Sequence, residues 1–80
     1  MIMFVEITNA EYIDSYCLRL YFSNGEVRIV DLGTSLVGPV FDELKVIENF
    51  KRFSIPYNTV QWYNGADFAP EYLYEISNPE

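Results

Sequence analysis

The chain has 80 residues, half of them hydrophobic and 18% aromatic, with seven Tyr, six Phe and a formal charge of −7. Eighty residues make one domain, 1–80, which buries roughly 60–65% of its unfolded surface. Twelve acidic residues against five scattered basic ones argue against the nucleic-acid backbone as a partner, because phosphate affinity needs clustered Lys and Arg.

Residues 2–8, Ile-Met-Phe-Val-Glu-Ile-Thr, read as a first strand, with a bend expected across Asn9–Ser15 in which Tyr12 and Ile13 stay extended. Two alternating runs then flank Asn24-Gly25, the dipeptide suited to a two-residue hairpin turn. That loop pairs Phe22 with Val27, Leu20 with Ile29 and Leu18 with Asp31 on one face. On the other face it sets Tyr21 against Arg28 as a cross-strand cation–π pair. The three strands form an antiparallel meander.

Gly38-Pro39 marks a helix start, with Pro39 in the first turn and Phe41 and Leu44 on one face. A second helical turn is expected over Ile47 to Arg52, and both must be held by packing. Phe53-Ser54-Ile55 and Thr59-Val60-Gln61-Trp62 read as two further strands around the turn Pro56-Tyr57-Asn58. Asn64-Gly65 makes a second turn of the same chemistry, and Asp67 is the expected N-cap of a closing helix. Phe68, Ala69, Tyr72, Leu73 and Ile76 form its apolar stripe, and Ser77 to Glu80 a frayed tail. The fold class is α+β: a small antiparallel sheet of about five strands with two or three short helices.

Chemistry is hard to find. With no histidine, the commonest general base and the commonest metal ligand are both missing. Cys17 sits between Tyr16 and Leu18 in a strand, where the role of a small buried or half-buried apolar residue is expected. It cannot form an internal disulfide, and the apolar runs are far short of the roughly 18–20 residues of a membrane span. Met1 to Val5 lacks the basic start and cleavage site of a signal peptide, so a cytoplasmic location is expected. Asp42-Glu43 reads as a solvated first turn, and Glu71 with Glu75 as a water-facing pair. The glycines lie singly, and no calcium-loop spacing occurs. Neither catalytic residues, a metal nor a cofactor is expected.

The most distinctive text runs from Trp62 to Tyr74. Its structural reading is a strand, a tight turn and a helix, with Trp62 and Phe68 in the core. Its functional reading is a recognition corner in which Trp62, Tyr63, Asn64, Asp67 and Tyr74 present aromatic and polar groups to another chain.

Phe22-Ser23-Asn24-Gly25-Glu26, Asp31-Leu32, Gly38-Pro39-Val40-Phe41-Asp42-Glu43-Leu44, Phe50 and Trp62-Tyr63-Asn64-Gly65-Ala66-Asp67-Phe68-Ala69-Pro70-Glu71 together resemble the bacterial family catalogued as domain of unknown function 2442. The family pattern often has Pro at Tyr63 and an aliphatic residue at Phe68. The resemblance implies a small α+β domain, found alone or joined to a helix-turn-helix DNA-binding domain. Stand-alone members are often encoded beside another small protein, as in toxin–antitoxin pairs. This chain carries no helix-turn-helix segment, and the resemblance brings no catalytic residues. The expected function is a non-catalytic interaction or regulatory module with a small protein partner. One alternative is a ligand binder or enzyme using Asp67, Glu71 and Tyr residues. Another is a subunit that self-associates through Met1 to Val5 as a homodimer.

Overall fold

The computed structural model describes residues 5–80. Strand β1 (Ile7–Asp14) is followed by β2 (Cys17–Phe22) and β3 (Val27–Asp31), all antiparallel. Tyr12 and Ile13 are extended as expected, but so are Asn9, Ala10, Glu11 and Asp14, and only Ser15 of the expected bend turns. Ala10 and Tyr12 face the core between exposed neighbours, and the chain reverses at Ser15, whose φ is 44°. The part of the predicted first strand at residues 2–4, and most of the segment proposed for self-association, lies outside the described residues.

The register of the central hairpin differs from the expected one by a residue. Its loop is three residues long, Ser23-Asn24-Gly25, closed by Phe22 N–H to Glu26 (2.9 Å) and Gly25 N–H to Phe22 (3.0 Å). Asn24 Oδ1 accepts the Glu26 N–H at 3.0 Å and Gly25 adopts φ 90°. This is a three-residue hairpin with a glycine bulge. Leu18 consequently opposes Val30, Leu20 opposes Arg28 and Tyr21 opposes Val27. Leu18, Leu20 and Phe22 stay buried, but Ile29 moves to the outer face and Arg28 to the inner one. The expected Tyr21–Arg28 pair therefore does not form. Tyr21 donates to Glu11, and the Arg28 guanidinium lies 4.3 Å over the Tyr74 ring.

Helix α1 (Pro39–Asp42) starts at Pro39 as expected and runs into a 3-10 turn (Glu43–Lys45), which places Leu44 fully inside. Helix α2 (Ile47–Phe50) buries Phe50. Strands β4 (Phe53–Ser54) and β5 (Gln61–Trp62) form a separate two-stranded sheet. Beyond it, Trp62-Tyr63-Asn64-Gly65-Ala66 repeats the hairpin loop's geometry. Trp62 N–H reaches Ala66 at 2.8 Å, Asn64 Oδ1 accepts the Ala66 N–H at 3.1 Å, and Gly65 has φ 88°.

Helix α3 (Pro70–Ile76) is capped by Ala69, not Asp67. Pro70 holds the preceding residue extended, so the helix begins at the proline and Asp67 lies too far upstream to cap it. Asp67 instead forms an isolated antiparallel bridge with Gln61. The tail is not frayed. Asn78–Pro79 form β6, which pairs with Arg28 and Ile29 of β3, giving a four-stranded sheet ordered β1-β2-β3-β6. Glu80 N–H donates to Val27, and its carboxylate pairs with Arg19. Leu20, Leu32, Leu44, Phe50, Trp62 and Leu73 lie in the core where these layers meet.

Candidate protein-interaction surface

The predicted recognition corner separates into three parts. Trp62 is 2% exposed and belongs to the core, with its indole N–H donating to the Phe50 carbonyl at 2.7 Å. Tyr63 is exposed. Its hydroxyl donates to Glu43, which raises the phenol above its ordinary range, and the Arg52 guanidinium lies 4.1 Å over its ring. Asn64 turns its amide to the Val40 carbonyl at 2.8 Å and so ties the turn to α1. Asp67 is exposed beside these residues in the chain.

Tyr74 belongs to a different cluster. It packs edge-on against Phe22 with ring centroids 5.1 Å apart, lies beneath Arg28 and donates to Glu26. Arg28 in turn bonds the Ser77 hydroxyl (2.7 Å) and carbonyl (2.8 Å) and pairs with Glu26 at 2.9 Å. Tyr74 therefore locks the hairpin to α3 and shares none of these contacts with Tyr63 or Asn64.

What the Asn64 link does build is an apolar face. Phe41 stacks on Phe68 with centroids 4.9 Å apart, and Phe68 stacks on Tyr72 at 5.6 Å. The central ring rests against the edge of Trp62 at 5.9 Å. Val40 adjoins Phe41, and the Tyr72 hydroxyl meets Ser35 Oγ at 2.9 Å, bringing the Ser35–Val37 segment to α3. Val37 is 72% exposed, Val40 43% and Tyr72 40%. With Tyr63, these are four of the seven exposed large hydrophobic residues among those described. Asp42, Glu43, Asp67 and Glu71 adjoin the aromatic ladder in sequence, all exposed.

Sequence reasoning named Tyr63, Asn64 and Asp67 and did not name Val37, Val40 or the Phe41–Phe68–Tyr72 ladder. The available signal was Val37-Gly38-Pro39-Val40, where a Gly-Pro step breaks any strand and leaves two valines without a regular element to bury them.

Among the described residues, no group of three or more Cys, Asp or Glu is placed to hold a metal ion. Burial, followed by the nearby Asp31 and Asp14 charges, pushes the Cys17 thiol up, away from the thiolate form. No helix among the described residues is long and apolar enough to cross a membrane.

The architecture defines a small α+β domain: a four-stranded antiparallel sheet, a second two-stranded sheet and short helices that carry an exposed apolar face. Residues 7–79 match the family described as Protein of unknown function (DUF2442), and the chain belongs to that family. No curated protein and no solved structure matches it.

Proposed function

We propose that the chain is a non-catalytic protein-interaction module, the regulatory, antitoxin-like partner of a small protein encoded beside it. The observation that carries this reading is the exposure of Val37, Val40 and Tyr72 around the Phe41–Phe68–Tyr72 ladder, apolar and open on a chain of formal charge −7. Aromatic anchors set in a polar rim are the usual make-up of a protein contact. On this reading the module works in the cytoplasm, in keeping with its single half-buried cysteine. The acidic balance disfavours direct contact with nucleic acid.

Co-expression with the product of the adjacent gene, followed by size-exclusion chromatography, tests it. The expected result is co-elution of the two chains, abolished by Val40→Asp. Separate elution, with neither chain altering the other's activity, would overturn the proposal.

A further inference from the structure

We infer that the face centred on Val37, Val40 and Tyr72 receives a cationic amphipathic segment of its partner, a refinement that rests on the interaction-module reading above. Two independent features lead there.

The first is charge. Asp42, Glu43, Asp67 and Glu71 adjoin the apolar residues in sequence, all exposed, and among the described residues Asp67 and Glu71 form no ion pair. Two of the chain's five cations are engaged at these segments: Lys45 pairs with Asp42 at 3.2 Å, and Arg52 lies over Tyr63. A second copy is a poor occupant, because a two-fold contact sets each acidic rim against its equal and brings together two chains of charge −7. Nucleic acid and an anionic membrane surface are repelled for the same reason.

The second is the aromatic chemistry. Three of the chain's five cations lie over tyrosine rings: Arg28 over Tyr74, Lys51 over Tyr12 and Arg52 over Tyr63. Tyr72 is exposed, stacks on Phe68 and carries no such cation among the described residues. A partner Arg or Lys fits over it, with aliphatic side chains against Val37 and Val40 and the Glu71 carboxylate on the adjoining side of the same helix.

The test uses the full chain, 15N-labelled, and two synthetic amphipathic peptides with the same leucine positions. One carries Lys and Arg at its polar positions, the other Glu. The cationic peptide should shift amide signals within residues 35–43 and 63–72, more weakly as salt is added. The Asp67→Asn/Glu71→Gln variant should bind it about tenfold less tightly, whereas Glu6→Gln, exposed beside the Ser23–Gly25 loop and off α3, should leave affinity unchanged. Shifts elsewhere, no shifts, equal binding of the Glu peptide, or an equal loss with Glu6→Gln would each overturn the inference, as would a dimer by sedimentation that covers this face. A complex with the adjacent gene's product that forms normally while the cationic peptide leaves the face unshifted retires the cationic segment alone. Failure of that complex, with the peptide bound as described, retires the adjacent partner alone.

Discussion

Trp62 directs its only polar atom to the Phe50 carbonyl and its ring to Phe50 and Phe68, so it organises the surface from beneath without reaching it. Replacing it by Phe keeps much of the apolar volume but orphans a buried carbonyl, at a cost of about 1–3 kcal/mol. Urea unfolding followed by circular dichroism should show that loss, and a midpoint equal to that of the unmodified chain would contradict this account. At this scale the sequence carried half the message. An aromatic residue just before an Asn-Gly turn suits both a core plug and a contact residue, and only the position of the Phe50 carbonyl separates the two. Asn64 stood out in the sequence, but the group its amide bonds, the Val40 carbonyl, lies 24 residues away.

Among the elements, the hairpin is the most informative. Its strands, its turn residues and the buried face of β2 were legible, because Leu18, Leu20 and Phe22 alternate without interruption, but on β3 the faces of Arg28 and Ile29 were read the wrong way round. The register was not legible. Asn-Gly serves a two-residue turn and a three-residue turn with a bulge equally well, and the choice rests on the Asn24–Glu26 link and on the place waiting for Arg28 over the Tyr74 ring. The tail's order was illegible for the same reason: β6 exists because Arg28 bonds Ser77 and β3 offers its edge.

This cluster makes stability depend on pH. The hydrogen bond from Tyr74 is the main reason the Glu26 carboxyl sits below its ordinary range, with Arg28 and Asn24 adding to it, and Glu26 in turn raises the Tyr74 phenol. The Glu26 contribution is complete above the unfolded value of about 4.3 and is lost as pH falls through the lower folded one. The Tyr74 contribution is complete below about 10 and is lost as pH rises through its raised value. Urea midpoints measured across pH should therefore fall at both ends. Glu26→Gln should flatten part of the acid limb, while Glu11, held low by Tyr21 and Arg19, retains the remainder. Parallel acid limbs in the two proteins would refute the assignment.

For the whole molecule, stability and recognition reside in different residues. In a domain of this size a change of 1 kcal/mol moves Tm by about 4–8 °C, so core variants should be visible in any thermal melt. The Val37→Ser/Val40→Ser pair lies at the surface and should shift Tm by less than about 4 °C. It should nonetheless eliminate co-elution with the partner, and a large fall in Tm would mean that these valines support the fold. The class of domain was readable from composition and turn spacing. The face was not, because it joins residues 35–43, 63–68 and 72 through hydrogen bonds that cross the chain.

The two rims of the main sheet are unequal. On one side β6 is only two residues long and contains Pro79, which has no N–H to offer; on the other, β1 runs for eight residues with no strand paired to its outer side among the described residues. Fibre growth needs a template on both sides of each molecule, and here one is closed by a residue that cannot extend a ladder. A strand added beside β1 would therefore extend the sheet on that side alone, because the β6 rim offers no continuing ladder.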